Sequence, residues 1–188
     1  MAKAFSEQER EIINVKLITS CEECWNQYGY QKTSIRDLCS KAGISSGAFY
    51  LFYESKELLF IETATRGVKR ILSIIDKNMP PDNRTKQDFA KAFKLMAKEI
   101  ENTKWLLSIE DDYEIFRRKF PPETFKSFTD IYSFQAEKYG FSPCISPQTA
   151  KVILGILLTI RLNKKGVSKQ YDKAYDFIID SVIDRLFE

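Results

Sequence analysis

The sequence predicts an all-α protein of about nine helices, and three features of the chain carry that reading. Glycine and proline are scarce, seven and six in 188 residues, which leaves long stretches uninterrupted and disfavours hairpins. Apolar residues recur at three- and four-residue spacing, the period of a single buried helix face. Small hydroxyl residues stand at the head of these stretches and glycine or proline at their ends, as helices start and stop.

The elements follow in order. A first helix is expected over residues 6–28, stopped by Gly29, with Leu17, Ile18, Cys21, Cys24 and Trp25 on its apolar face. Thr33 suits the N-cap of a short second helix that buries Ile35, Leu38, Cys39 and Ala42. Gly43 stands where the chain must reverse, and Ile44 plugs that turn. Ser45 caps a third helix in which Phe49 faces the core, while Ser46, Gly47, Tyr50 and Leu51 face outward. Ser55 opens a fourth helix, to about residue 76, with Glu57 in its first turn. Thr85 and Asp88 open a fifth, striped by Phe89, Phe93, Met96 and Ile100. A shorter element is expected at 109–120 and a helix at 122–139. Ser146 followed by Pro147 starts a helix reaching 162, and the last runs over 169–187.

Residues 30–59 hold the functional signal. Three short helices, a glycine turn at the middle junction and a third helix with small exposed side chains at its start make a helix-turn-helix. Such a unit lays its second helix in the DNA major groove, N-terminal residues nearest the bases. The phosphate candidates are Lys32, Thr33, Tyr50 and Lys56. The exposed positions nearest the bases are Ser45, Ser46, Gly47, Ala48 and Leu51, a set without Arg, Asn or Gln, and Phe52 is a further DNA-binding candidate. Bidentate readout of guanine or adenine from this helix is therefore not expected, and specificity falls to serine hydroxyls, thymine-methyl contacts and DNA shape. Arg36 is the candidate guanine contact.

The run from about residue 17 to 59 resembles the N-terminal domain of the tetracycline-repressor (TetR) family of bacterial regulators. The resemblance is carried by Gly29-Tyr30, Thr33-Ser34-Ile35, Ala42-Gly43-Ile44-Ser45, Gly47-Ala48-Phe49-Tyr50, Phe52-Tyr53 and residues 55–59. Departures are Cys39 where alanine is usual, Ala48 where threonine is common and Tyr53 where phenylalanine is usual. The resemblance implies a DNA-binding domain at 1–58 and a helical effector-binding and dimerisation domain at 59–188. It also implies an effector pocket in the second domain, for which the candidate lining is Phe89, Phe93, Trp105, Phe116, Phe120, Phe125, Phe128 and Tyr132. Those aromatics suggest a small apolar or aromatic effector. The acidic run Glu110-Asp111-Asp112 reads as a solvated helix start.

The last two helices are apolar over more than one face, which calls for partners on two sides. Ile153, Ile156, Leu157, Ile160, Tyr175, Ile178, Val182 and Leu186 are the candidate dimer-interface residues, and the resemblance implies a four-helix dimer bundle of the same helices. The expected partners are therefore double-stranded DNA with an inverted repeat, a small-molecule effector and a second copy of the chain. The alternative left open is a DNA-binding protein of the same fold whose second domain recruits a protein instead of a ligand.

Bulk composition constrains this picture. The net charge is +3, yet residues 1–60 carry seven Lys/Arg against eight Asp/Glu, so any positive DNA-facing surface must come from local placement of Lys32, Arg36, Lys41 and Lys56. Without histidine, a glycine-rich phosphate loop or a nucleophile elbow, an enzyme is not expected, nor a cofactor. Cys21 and Cys24 form a C-x-x-C, but with no second pair and no histidine the four-ligand zinc reading lacks partners. These thiols read as core, with a redox switch requiring an exposed, acidified cysteine. The longest apolar run, 152–160, is too short to span a bilayer, and with no export signal a cytoplasmic location is expected.

Overall fold

The computed structural model describes residues 5–79, 85–109, 113–120, 122–123, 146–163 and 169–188. The protein is all-helical, with no strand among the described residues. Its helices are α1 (Glu7–Lys32), α2 (Ile35–Ala42), α3 (Ser46–Phe49), α4 (Lys56–Asn78), α5 (Lys86–Asn102), a 3₁₀ segment (Lys104–Ile109), α6 (Tyr113–Lys119), α7 (Pro147–Leu162) and α8 (Lys169–Leu186). The expected helix at 122–139 lies outside the described residues apart from 122–123. The element expected at 109–120 is in fact the tail of the 3₁₀ segment followed by α6.

Local chemistry accounts for the boundaries. Ser6 and Glu9 form a capping box at the start of α1. Gly29 takes φ 76° inside α1, a kink beyond which helical bonding resumes through Lys32. The expected stop at Gly29 is thus a sharp bend, which glycine adopts without a Cβ penalty. The N-cap of α2 is Ser34 and not Thr33. Ser34 Oγ accepts from Asp37 N at 3.2 Å, and Asp37 accepts from Ser34 N at 3.1 Å. The three-residue spacing to an acid selects Ser34, because Arg36 stands at the corresponding place after Thr33. Gly43 closes α2 at φ 75°. Ser55 caps α4, Thr85 and Asp88 cap α5, and Ser146 caps α7 ahead of Pro147.

The chain folds as two compact units, one of residues 1–68 and 103–131, the other of 69–102 and 132–188. The first holds α1 to α3, the start of α4, the 3₁₀ segment and α6. Its core joins Leu17, Cys21, Trp25, Tyr30, Leu38, Phe49, Leu59 and Phe60 to Trp105 and Phe116, all buried. Trp25 lies 4.6 Å from Phe60 and 4.7 Å from Trp105 between ring centroids.

In the second unit, α5, α7 and α8 bury Phe89, Phe93, Met96, Ile100, Leu154, Leu157, Tyr175, Ile179, Ile183 and Leu186 together. Arg161 of α7 bridges Glu101 of α5 at 3.0 Å and Asp172 of α8 at 2.8 Å. Lys86 and Lys94 of α5 pair with Asp184 and Asp180 of α8; exposed pairs of this kind set register more than they add stability.

Gly43 offers a clean test of the turn. An added Cβ there would meet nothing within 4 Å, so Gly43→Ala is penalised only by its left-handed backbone. It should lower unfolding stability by about 1–2 kcal/mol in urea denaturation, with an unchanged m-value.

Candidate nucleic-acid interface

The interface is built on the first unit. Phe49 is fully buried and anchors α3, while Ser45, Ser46, Gly47, Tyr50 and Leu51 are exposed; Tyr50 and Leu51 keep 58% and 55% of their surface. Ala48 is half-buried. The Ser45 hydroxyl is already engaged, accepting from Ala48 N at 3.1 Å as the α3 cap, and the Ser46 side chain hydrogen-bonds the buried Cys39 thiol. The backbone after α3 is held by Arg10 of α1, which the sequence did not single out. Its guanidinium donates to Leu51 O at 2.8 Å and lies 5.0 Å over the Phe52 ring. Phe5 covers Phe52 as well, at 5.7 Å. Phe52 is thus the underside of the reading surface, and Arg10, forty-one residues away in sequence, had no local signal.

The approach to α2 carries the other candidates. Lys32 and Arg36 are exposed. Thr33 is 1% exposed, and its hydroxyl donates back to Gly29 O at 2.8 Å. Lys41 pairs with Glu23 of α1 at 2.8 Å. Lys56 points inward: its ammonium donates to Tyr30 O at 3.1 Å and Thr33 O at 2.9 Å, and sits 4.2 Å above the Tyr30 ring. Tyr30 in turn donates to Glu57 at 2.5 Å, and Lys119 of α6 reaches the same carboxylate oxygen at 3.0 Å. Burial pulls the Glu57 carboxyl upward, but the Tyr30 hydroxyl and the Lys119 ammonium outweigh it and bring the group to about 2.

The remaining expectations can be placed. Phe89 and Phe93 belong to the core of the second unit, whereas Trp105, Phe116 and Phe120 belong to the first. Phe116 and Phe120 stack at 5.2 Å, and Phe116 packs on Tyr30 at 4.7 Å. Phe125, Phe128, Tyr132, Cys144 and the run Glu110-Asp111-Asp112 lie outside the described residues. On the last two helices Leu157, Tyr175 and Leu186 are buried in their own unit, Ile153 and Val182 pack partly against that core, and Ile156, Ile160 and Ile178 are exposed. Cys21, Cys24 and Cys39 are free and buried, and burial pushes the Cys21 thiol up to about 12. A thiol so hard to ionise is a poor redox switch. Among the described residues no cluster of acids and cysteines could hold a metal ion, and no helix is long and apolar enough to cross a membrane.

Residues 17–63 match the family model described as bacterial regulatory proteins, tetR family. That match spans the helix-turn-helix and about a quarter of the chain, and it is this segment that is similar to the family. Solved structures of that fold align over nearly the whole chain. A Rhodococcus bacterial regulatory protein of the tetR family superposes with TM-score 0.73 at 16% identity, covering 97% of this chain and 98% of its own. Salmonella enterica GusR superposes with TM-score 0.70 at 14% identity, covering 98% and 99%. A TetR-family transcription regulator from Marinobacter aquaeolei gives 0.63 at 14%, covering 94% and 98%. Curated proteins give no match. The chain therefore has the fold seen in TetR-family transcriptional regulators, and the segment that matches the family model holds the helix-turn-helix of α2 and α3.

The depressed Glu57 carboxyl fixes a pH dependence. Its folded-state value, about 2, lies below the ordinary 4.5, so the stability it supplies is complete above pH 4.5 and drains away as the pH falls towards 2. Glu57→Gln should melt below the wild type at pH 7, and the gap in Tm should close between pH 4.5 and 2. Thermal melts across that range measure it.

Proposed function

We propose that this chain is a ligand-responsive transcriptional repressor that binds an inverted-repeat operator as a homodimer and is released by a small apolar or aromatic effector. The observation that carries the reading is α3, pinned from within by Phe49 and presenting Ser46, Gly47, Tyr50 and Leu51 to solvent on the TetR-type frame. Its N-terminus enters the major groove. Lys32, Tyr50 and the start of α2 meet phosphates, and Arg36 reaches a guanine edge. Thr33 acts from behind, through its bond to Gly29 O.

The dimer is supported by the outer face of the last two helices. Val152, Ile156 and Ile160 on α7, with Phe177 and Ile178 on α8, are exposed, Phe177 by 73%. Gly155 and Thr159 lie on the same α7 face as Ile156, and a Cβ at Gly155 would meet nothing within 4 Å. Apolar residues around a small one suit close helix-to-helix approach across a two-fold axis. In a dimer the two α3 helices reach half-sites about one DNA turn, roughly 34–36 Å, apart. An effector that favours another spacing by about 1–3 kcal/mol releases the operator.

Selection of the purified protein against random duplexes, followed by anisotropy titration at two salt concentrations, tests the reading. A palindromic consensus bound at least about a thousandfold more tightly than scrambled DNA is expected; sequence-independent binding alone would defeat it. Arg36→Ala should cost about 1–3 kcal/mol at one guanine and relax selection at that position only. Ile156→Glu combined with Phe177→Glu should shift the protein to a monomer in sedimentation velocity and weaken operator binding at least about tenfold, without lowering the helical content.

A further inference from the structure

We infer that Lys56 acts on DNA as a positioning residue, through the carbonyls of Tyr30 and Thr33, and not as a phosphate ligand. The inference rests on the operator-binding reading above and deepens it. An ammonium has three N–H donors and no acceptor. In this protein two of its bonds go to Tyr30 O and Thr33 O, at 3.1 and 2.9 Å, and the cation lies over the Tyr30 ring at 4.2 Å and within 5.8 Å of the Phe60 ring. The Lys56 side chain is therefore half-buried, while Lys32 nearby is exposed.

Those carbonyls stand where the backbone most needs a donor. Gly29 breaks the helical geometry of α1 at φ 76°, ψ 167°, and groups near such a break lose their regular partners. Thr33 N donates to Tyr30 O at 3.3 Å, Thr33 Oγ1 donates to Gly29 O at 2.8 Å, and Lys56 supplies the remaining clamp. The next residue is Ser34, the cap of α2, and Arg36 follows two positions later. The clamp thus aims the N-terminus of α2 and the exposed Arg36. Two of the three N–H donors are held by these part-buried carbonyls, and drawing the ammonium out to a phosphate would break both bonds and take the lysine donor from Thr33 O, which is costly.

The two roles separate in salt. A phosphate ligand contributes about 0.9 to the slope of log K against log salt on duplex DNA, whereas a positioning residue changes affinity at every salt concentration and leaves the slope alone. Operator binding by full-length wild type, Lys32→Ala and Lys56→Met is measured by anisotropy from low to high salt, well below each Tm. Failure of the wild type to bind a selected operator would sink the operator-binding reading itself, and is seen before any variant is compared. With wild-type binding in place, Lys32→Ala should lower the slope by about 0.9. Lys56→Met should keep the wild-type slope and lose about tenfold in affinity, the loss of two hydrogen bonds, with faster amide exchange at Ser34 to Asp37. A purely structural lysine would lower Tm without changing operator affinity in the folded protein, and that result overturns the inference. A drop in slope of about 0.9 in Lys56→Met overturns it in favour of a phosphate contact. Should Lys56→Met fail to fold, Lys56→Gln, uncharged but still a donor, is read by the same slope.

Discussion

Tyr30 is the residue around which the DNA-reading unit is organised. It is 2% exposed, immediately follows the kink at Gly29, and is packed edge-on by Phe60 at 4.9 Å and Phe116 at 4.7 Å. Its hydroxyl binds Glu57, its ring carries the Lys56 ammonium and its carbonyl accepts from the same lysine. One side chain therefore ties the end of α1 to the start of α4 and to α6. Truncating a buried aromatic of this size removes about 3–5 kcal/mol, a large share of a domain's net stability. The turn that aims α2, and through it α3, is built on that post.

Much of this unit is legible in sequence because its signals are local. Gly43 must take a left-handed turn, Ser45 and Ser55 each stand at the head of a helix, and Phe49 alternates with exposed neighbours; each follows from a few adjacent residues. The same is true of Ser146 with Pro147. What could not be read depends on pairs distant in sequence. Arg10 reaches Leu51 O across forty-one positions and Lys119 reaches Glu57 across sixty-two. Trp105, Phe116 and Phe120 have the spacing of any helix core, and spacing does not say which core. They pack with the DNA-reading unit, whereas Phe89 and Phe93 pack with α7 and α8. The Thr33 and Ser34 choice was within reach of sequence, since only Ser34 has an acid three residues on. Lys56 was not, because nothing in a lysine's neighbours says whether its ammonium turns outward or onto carbonyls.

The reading surface has an unusual economy. Ser45 caps its own helix, the Ser46 side chain bonds Cys39, and Phe52 is covered by Phe5 and Arg10, so in the proposed DNA contact the exposed face offers mainly a glycine, Tyr50 and Leu51. None of these makes a paired hydrogen bond to a purine edge. On the proposed reading such a surface would discriminate by fit: Gly47 would permit close backbone approach, Leu51 would suit a thymine methyl, and sequences that bend or narrow readily would be bound at lower deformation cost. Consensus positions that no side chain touches are then expected.

Charge sharpens the case for two copies acting together. Residues 1–60 hold one more acid than base, Lys41 is paired with Glu23, and Lys56 is occupied by carbonyls. Lys32 and Arg36 remain as exposed cations on the approach to α2. Phosphate neutralisation supplies most non-specific affinity, so on the proposed reading a single head with no net positive charge over residues 1–60 would bind weakly alone. Joining two heads makes the second contact intramolecular, and affinity rises without any new contact so long as the spacing fits the half-sites. Weak heads are the condition under which spacing matters most: in the proposed dimer a small shift in the separation of the two α3 helices would remove nearly all operator affinity, and an effector of modest coupling energy would suffice to release it.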